Sequence, residues 1–132
     1  MVLIGGADDR ADAQAMKALV KTSSIIDITG LTPLGLLPAL LQAASVLVTN
    51  DSGPMHVAAA VGTPVVALFG PTSPVLTGPY GTRHRVLTHQ IPCSPCFSRR
   101  CRHSVDRECL TGIAPAQVVE AVRSRLAVRA QA

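Results

Sequence analysis

The sequence predicts an α/β domain built on a parallel sheet with helices on both faces. Two observations carry this. Short apolar runs alternate along the chain with stretches of helical pattern. The strand-like runs, such as Val65-Val-Ala-Leu-Phe69, are continuously apolar instead of alternating, as parallel strands covered on both faces are. At 132 residues the chain fits one domain, numbered 1–132, and roughly two-thirds of its unfolded surface can be buried at that size.

Val2-Leu3-Ile4 reads as a buried strand and Gly5-Gly6 as the turn after it. Asp8 to Lys21 has helical composition, with acids in its first turn and lysines in its last, as the helix dipole prefers. Ile25 to Ile28 is a second strand. Thr32 reads as an N-cap and Pro33 as the first position of a helix to about Ala44. Ser45 to Thr49 is a third strand, and Asn50 to Gly53 turns into a helix from Pro54 to about Val61, stopped by Gly62 and Pro64. Val65 to Phe69 is a fourth strand, broken by Gly70-Pro71-Thr72. Arg85 to Thr88 is a candidate fifth, and Pro115 to Val128 a final amphipathic helix.

Composition removes several classes. Hydrophobic residues make up 48% and charged residues 15%, which excludes intrinsic disorder. Phe69, Tyr80 and Phe97 are the only aromatics, too few for stacking single-stranded bases, and no nucleic-acid partner is expected. The longest apolar stretch, Val57 to Phe69, is interrupted by Gly62 and Pro64 and is shorter than the roughly 20 residues of a spanning helix. No signal peptide is legible at the amino end, so the expected location is cytoplasmic. The net charge of +4 resides between Arg83 and Glu108, where six arginines face Asp106 and Glu108. Such a cluster suits a phosphate or an anionic surface, or is simply a solvated loop.

Ligands of parallel sheets bind beyond the carboxyl ends of the strands. The loop after the third strand, Asn50-Asp51-Ser52-Gly53-Pro54-Met55-His56, is the richest of these junctions. Gly53 permits close backbone approach, and Pro54 wastes no donor in the first turn. The amides of a helix start form an anion site. Ser52 adds a hydroxyl, and His56 could donate to a phosphate oxygen. Asp51 would repel a bare phosphate and suits sugar hydroxyls. Together they fit a ligand with both diphosphate and sugar. The competing reading is an ordinary helix start, capped by Asp51 or Ser52.

The segment from Ile28 to Pro79 resembles the C-terminal domain of glycosyltransferase family 9, the ADP-heptose:lipopolysaccharide heptosyltransferases. The matching motifs are Gly30-Leu31-Thr32 with Leu34, Asn50 to His56, and Phe69-Gly70-Pro71-Thr72. Cys93-Ser-Pro-Cys96-Phe97, Cys101 and Cys109-Leu110 are similar to the heptosyltransferase II branch. The resemblance implies a Rossmann-like domain of a two-domain GT-B enzyme. It implies metal-independent, inverting heptose transfer from an ADP-sugar to the lipopolysaccharide inner core. By motif match, Asp51 would meet donor hydroxyls, and Ser52, Gly53 and His56, with Pro54 and Met55 in the same turn, would hold the diphosphate. Thr32 would lie near the adenosine, and Asp9 matches an acidic position that contacts the donor.

The acceptor domain with its general-base aspartate has no counterpart in the sequence. Nor has the domain's first strand and helix, with the family's phosphate-binding lysine and threonines. No catalytic residue is therefore assigned. General-base catalysis contributes about 10²–10⁴-fold, so the expectation is a donor-binding half-site without activity of its own. Its acceptor, the lipopolysaccharide core, would come through the missing domain. Peripheral contact with the inner membrane and self-association through an unpaired sheet edge are further expectations.

Cys93, Cys96, Cys101 and Cys109 are spaced C-x2-C-x4-C-x7-C, with His103 nearby. Four soft ligands in 17 residues could form a tetrahedral zinc knuckle, although the spacing after the first pair departs from zinc ribbons, and no metal is assigned. Reduced thiols, one disulfide or an iron–sulfur site are the alternatives. The resemblance itself implies no metal or other cofactor. A rival function follows, a non-catalytic binding module whose basic Cys-containing loop, residues 83–112, is stapled by zinc. His84 and His89 read as surface residues.

Overall fold

The computed structural model describes residues 1–20 and 24–129. Its strands are β1 (Val2–Leu3), β2 (Ile26–Asp27), β3 (Leu47–Asn50), β4 (Val65–Phe69) and β5 (Arg85–Thr88). Its α-helices are α1 (Arg10–Leu19), α2 (Leu37–Ala43), α3 (Gly53–Ala60), α4 (Pro74–Thr77), α5 (Glu108–Thr111) and α6 (Pro115–Arg129). Every strand pairing is parallel. The described residues form two compact units, divided between Leu37 and Pro38. The first holds the pair β1–β2, and the second holds the sheet β3–β4–β5.

In the first unit the ladder runs Val2 to Ile26 and Leu3 to Asp27. The loop after β2 folds over the loop after β1, where the Gly30 amide donates to the Gly5 carbonyl at 2.9 Å. Gly30 has φ +71°, and a Cβ there would come within 3.0 Å of the Ala7 backbone, so glycine is required on two counts. The Asp27 carboxylate accepts from the Thr29 amide at 3.0 Å and lies 3.7 Å from Lys17. The amide bond first, and the lysine after it, hold its carboxyl below the usual range. The expected last turn of α1 includes Lys21, which lies outside the described residues.

In the second unit β4 is the middle strand. Val65, Val66 and Ala67 are fully buried and Phe69 nearly so, which explains its unbroken apolar run. Helix α3 packs on β3 and β4, α5 on β4, and α6 on β4 and β5. Helix α3 ends in a Schellman motif. The Thr63 amide donates to Ala58 O at 2.8 Å and the Gly62 amide to Ala59 O at 3.1 Å, with Gly62 at φ +81°. The Thr63 hydroxyl donates to Leu41 O at 2.6 Å and is buried there.

Two expectations change. Thr32 does not cap a helix starting at Pro33. Pro33 stays extended at ψ 143°, a 3-10 turn covers Leu34–Leu36, and α2 begins at Leu37. An α-helix from Pro33 would need an N–H at Pro38 for the Leu34 carbonyl, and proline has none. His84 is not a surface residue but half-buried. Its Nδ1 accepts from the Val65 amide at 3.2 Å, and Nε2 lies 2.9 Å from Tyr80 O. The ring thus anchors the start of β4 to the loop before β5.

Burial chiefly, with Arg83 and Arg125 adding to it, lowers the His84 pKa against the opposing Tyr80 bond. On acidification the unfolded chain takes up this proton first. His84's neutral-form stability is intact above about pH 6.5, the ordinary histidine value, and erodes below it. Urea unfolding should therefore show a loss of stability from pH 7.5 to 5.5 that is smaller in His84→Asn. Separately, Thr63→Val should cost about 1 kcal/mol by removing the bond to Leu41. The denaturant midpoint at pH 7.5 is the readout.

Candidate functional site

Parallel register sets the site in the second unit. Asn50, the last residue of β3, is level with Leu68 of β4. The loop Asp51–Ser52 and the turn Gly70–Pro71 therefore leave the sheet at the same carboxyl edge. Asp51 Oδ2 accepts from the Thr77 hydroxyl, on α4, at 2.8 Å. This bond ties the loop after β3 to the helix after β4. Asp51 Oδ1 has no partner among the described residues.

Ser52 occupies the N-cap position of α3 at φ −155° and ψ 164°, yet no side chain caps the helix. Its hydroxyl pairs with Thr49 Oγ1 at 2.9 Å instead. Both carriers of the ordinary-cap reading are thus turned elsewhere: Asp51 to Thr77 and Ser52 to Thr49. The amino end of an eight-residue helix is left for an external acceptor, where its dipole favours an anion. Pro54 sits in the first turn of α3. A Cβ on Gly53 would meet nothing within 4 Å. The fold therefore does not need glycine there for its own packing, and the space over the helix start is open. His56 is exposed on the same turn and has no hydrogen-bond partner among the described residues.

Met55 departs from expectation. It is fully buried, because its place on α3 faces the sheet while His56, one residue on, faces solvent. Its side chain serves the core. Asp9 and Thr32 belong to the first unit. Asp9 Oδ2 accepts from the Gly6 amide at 2.8 Å, closing the turn after β1, and Thr32 is half-exposed just after Gly30. Thr49 and Thr77 escaped the sequence reading. Thr49 stands three residues before Ser52 at a strand end, a spacing that could have suggested the pair. Nothing local marks Thr77, which is 26 residues from Asp51.

The cysteine loop docks on the same edge. The Ser94 hydroxyl donates to Gly70 O at 2.6 Å, and the Phe97 amide donates to Pro71 O at 2.7 Å. Cys93, Cys96, Cys101 and Cys109 are not arranged as the zinc-knuckle alternative would need. Among the described residues no group of three or more His, Cys, Asp or Glu side chains is arranged to hold a metal. All four thiols are free. Cys93, Cys96 and Cys101 are exposed, whereas Cys109 is buried and packs on Gly70 so closely that a Cβ there would lie 2.9 Å from its Sγ. Cys101 Sγ is engaged by the Arg107 amide at 3.2 Å. No helix among the described residues is long and apolar enough to cross a membrane.

Comparison with known proteins converges on one group. The model of glycosyltransferase family 9 (heptosyltransferase) matches residues 1–105. The chain is 40% identical over 90 residues to lipopolysaccharide heptosyltransferase 2 of Escherichia coli (strain K12), covering 66% of this chain and 26% of that protein. It is 32% identical over 104 residues to lipopolysaccharide heptosyltransferase 1 of Pseudomonas aeruginosa, covering 79% and 28%. The solved E. coli ADP-heptose lps heptosyltransferase II superposes with a TM-score of 0.81 at 32% identity, over 99% of this chain and 37% of that one. The chain thus spans about a quarter to just over a third of the length of these proteins.

Burial foremost, and then the sulfurs of Cys101, Cys96 and Cys93, raise the Cys109 pKa. Because the thiolate is the nucleophile, iodoacetamide with peptide mass spectrometry should show Cys93, Cys96 and Cys101 alkylated first. Cys109 should lag and require more alkaline pH. Equal labelling of all four at pH 7.5 would contradict the burial.

Proposed function

Because the chain belongs to glycosyltransferase family 9, we propose that it contributes the donor-binding part of a heptosyltransferase of lipopolysaccharide core biosynthesis. The observation that carries this is the uncapped start of α3 under the open space at Gly53. The diphosphate of an ADP-heptose-like donor would lie on the amides of that first turn, which begins at Gly53-Pro54. His56 would donate to a phosphate oxygen. Asp51, oriented by Thr77, would accept from sugar hydroxyls through Oδ1. Ser52, aligned by Thr49, would supply a further hydroxyl.

This loop binds and orients, and no residue in it is assigned the acceptor's proton. Asp51 is committed to donor hydroxyls, and His56 to the phosphate. We therefore place the general base and the lipopolysaccharide acceptor in an acceptor half completing a GT-B enzyme, with residues 1–132 inactive by themselves. The reaction would take place in the cytoplasm at the inner membrane face. Names of the relatives support the reaction class, and the named residues support the donor.

Calorimetric titration with ADP, and with GDP and UDP for comparison, tests this reading. ADP should bind saturably and in preference to the other two. His56→Ala should weaken it by about tenfold, the worth of a hydrogen bond to a charged group. Gly53→Ala should weaken it as strongly while leaving the melting temperature equal or higher, since alanine fits that helical position and its Cβ meets no protein atom. Absence of ADP binding by the folded chain would overturn the proposal.

A further inference from the structure

We propose that the basic loop holds a second anion site, a cavity for a phosphate ester carried on a sugar-sized molecule, distinct from the first turn of α3. The cavity measures about 810 Å³ and lies between the cysteine loop, α5 and Pro71. Volumes of this order hold molecules well beyond a bare phosphate ion, in the usual ligand-pocket range of roughly 300–1,000 Å³. Four arginines line it: Arg99, Arg100, Arg102 and Arg107.

Pairing of charges inside the cavity is incomplete. Asp106 is engaged by Arg107 at 3.0 Å, and Glu108 lies 3.1 Å from His103 Nδ1. Asp106 is thereby occupied, and Glu108 faces His103 rather than an arginine. No carboxylate among the described residues lies within ion-pair distance of Arg99, Arg100 or Arg102. Three arginines in four residues thus line the cavity without a carboxylate partner, and each guanidinium is a planar donor fork. Phosphate oxygens match that fork bidentately.

The wall is also built. The Ser94 and Phe97 bonds to Gly70 and Pro71 clamp the loop to the end of β4. Ser98 Oγ donates to Arg100 O at 2.8 Å. Left-handed backbone at Phe97 (φ 52°) and Arg107 (φ 53°) brackets the arginine run, a conformation uncommon outside glycine. The cavity therefore borders the carboxyl edge of the sheet at Pro71. The inference rests on the cavity and its charges, not on the donor reading.

The test uses the intact chain with inorganic phosphate and mannose 6-phosphate by calorimetry. A parallel arm uses phosphatidylcholine vesicles with and without phosphatidylglycerol, by co-sedimentation. Mannose 6-phosphate should bind saturably, more tightly than inorganic phosphate, and more weakly as salt rises. Combined Arg99→Gln, Arg100→Gln and Arg102→Gln should weaken it at least about tenfold. The three Arg→Lys changes should give an intermediate loss, because charge survives and the fork does not. These side chains are exposed, so circular dichroism and melting should not change. Variant-sensitive binding to phosphatidylglycerol vesicles alone would keep the phosphate chemistry and make a lipid headgroup its source. No binding in either arm, or binding unchanged in the glutamine variant, would overturn the proposal. Gly53→Ala should leave mannose 6-phosphate binding intact, so failure at one site is separable from failure at the other.

Discussion

The buried middle strand β4 is the constraint on which the second unit depends. Val65 to Phe69 is paired on both edges and covered on both faces. Every polar backbone group of such a strand must be satisfied by its neighbours, because water cannot reach it. That fixes the register of β3 and β5 and brings the loops after β3 and β4 out at one edge. Asp51 and Thr77 meet across that edge. The cysteine loop closes on Gly70 and Pro71 at the same place. Gly70 permits it, since a Cβ would lie 2.6 Å from Leu110 Cγ. His84 anchors the other end of the strand through the Val65 amide.

Two chemically unlike surfaces share this edge. One has an uncapped helix start, hydroxyls and a single carboxylate, a mixture that suits a ligand with charged and neutral polar parts. The other is a cavity lined by arginines, where Asp106 is paired with Arg107 and Glu108 faces His103. The cysteines belong to the second, and among the described residues their sulfurs are not arranged as a ligand set. Their closeness in sequence is the usual mark of a metal knuckle. Packing of Cys109 against Gly70 draws one thiol inward while three remain exposed. A tetrahedral site needs the sulfurs to converge, which loop geometry controls.

Much was legible in the sequence because it rests on local physics. Val65–Phe69 and Arg85–Thr88 emerge with the expected bounds. Continuous apolar composition and flanking breakers are local signals, and the parallel pairing follows from strand–helix alternation. The Gly62 stop of α3 is likewise local, since only the positive φ of a Schellman turn is needed there. The Asn50–His56 loop was visible as a candidate site because residue type and its place after a strand both belong to the chain itself. The start of α2 misled because Thr32-Pro33 is a sound helix signal on its own. The missing N–H of Pro38, five residues on, defeats it.

The sequence by itself determined the fold class, the strand Val65–Phe69, the family and the loop that carries the candidate site. Each of these depends on neighbours within a turn or a strand, or on a motif string. Only the tertiary structure decided which side chains of that loop are available. Helix phase against the sheet buries Met55 and exposes His56. Thr77 reaches Asp51, and Thr49 turns Ser52 away from the helix it would otherwise cap. The pairing that leaves three arginines lining one cavity is equally tertiary. Contacts between residues remote in the chain depend on how packed elements align, and no local pattern encodes that alignment.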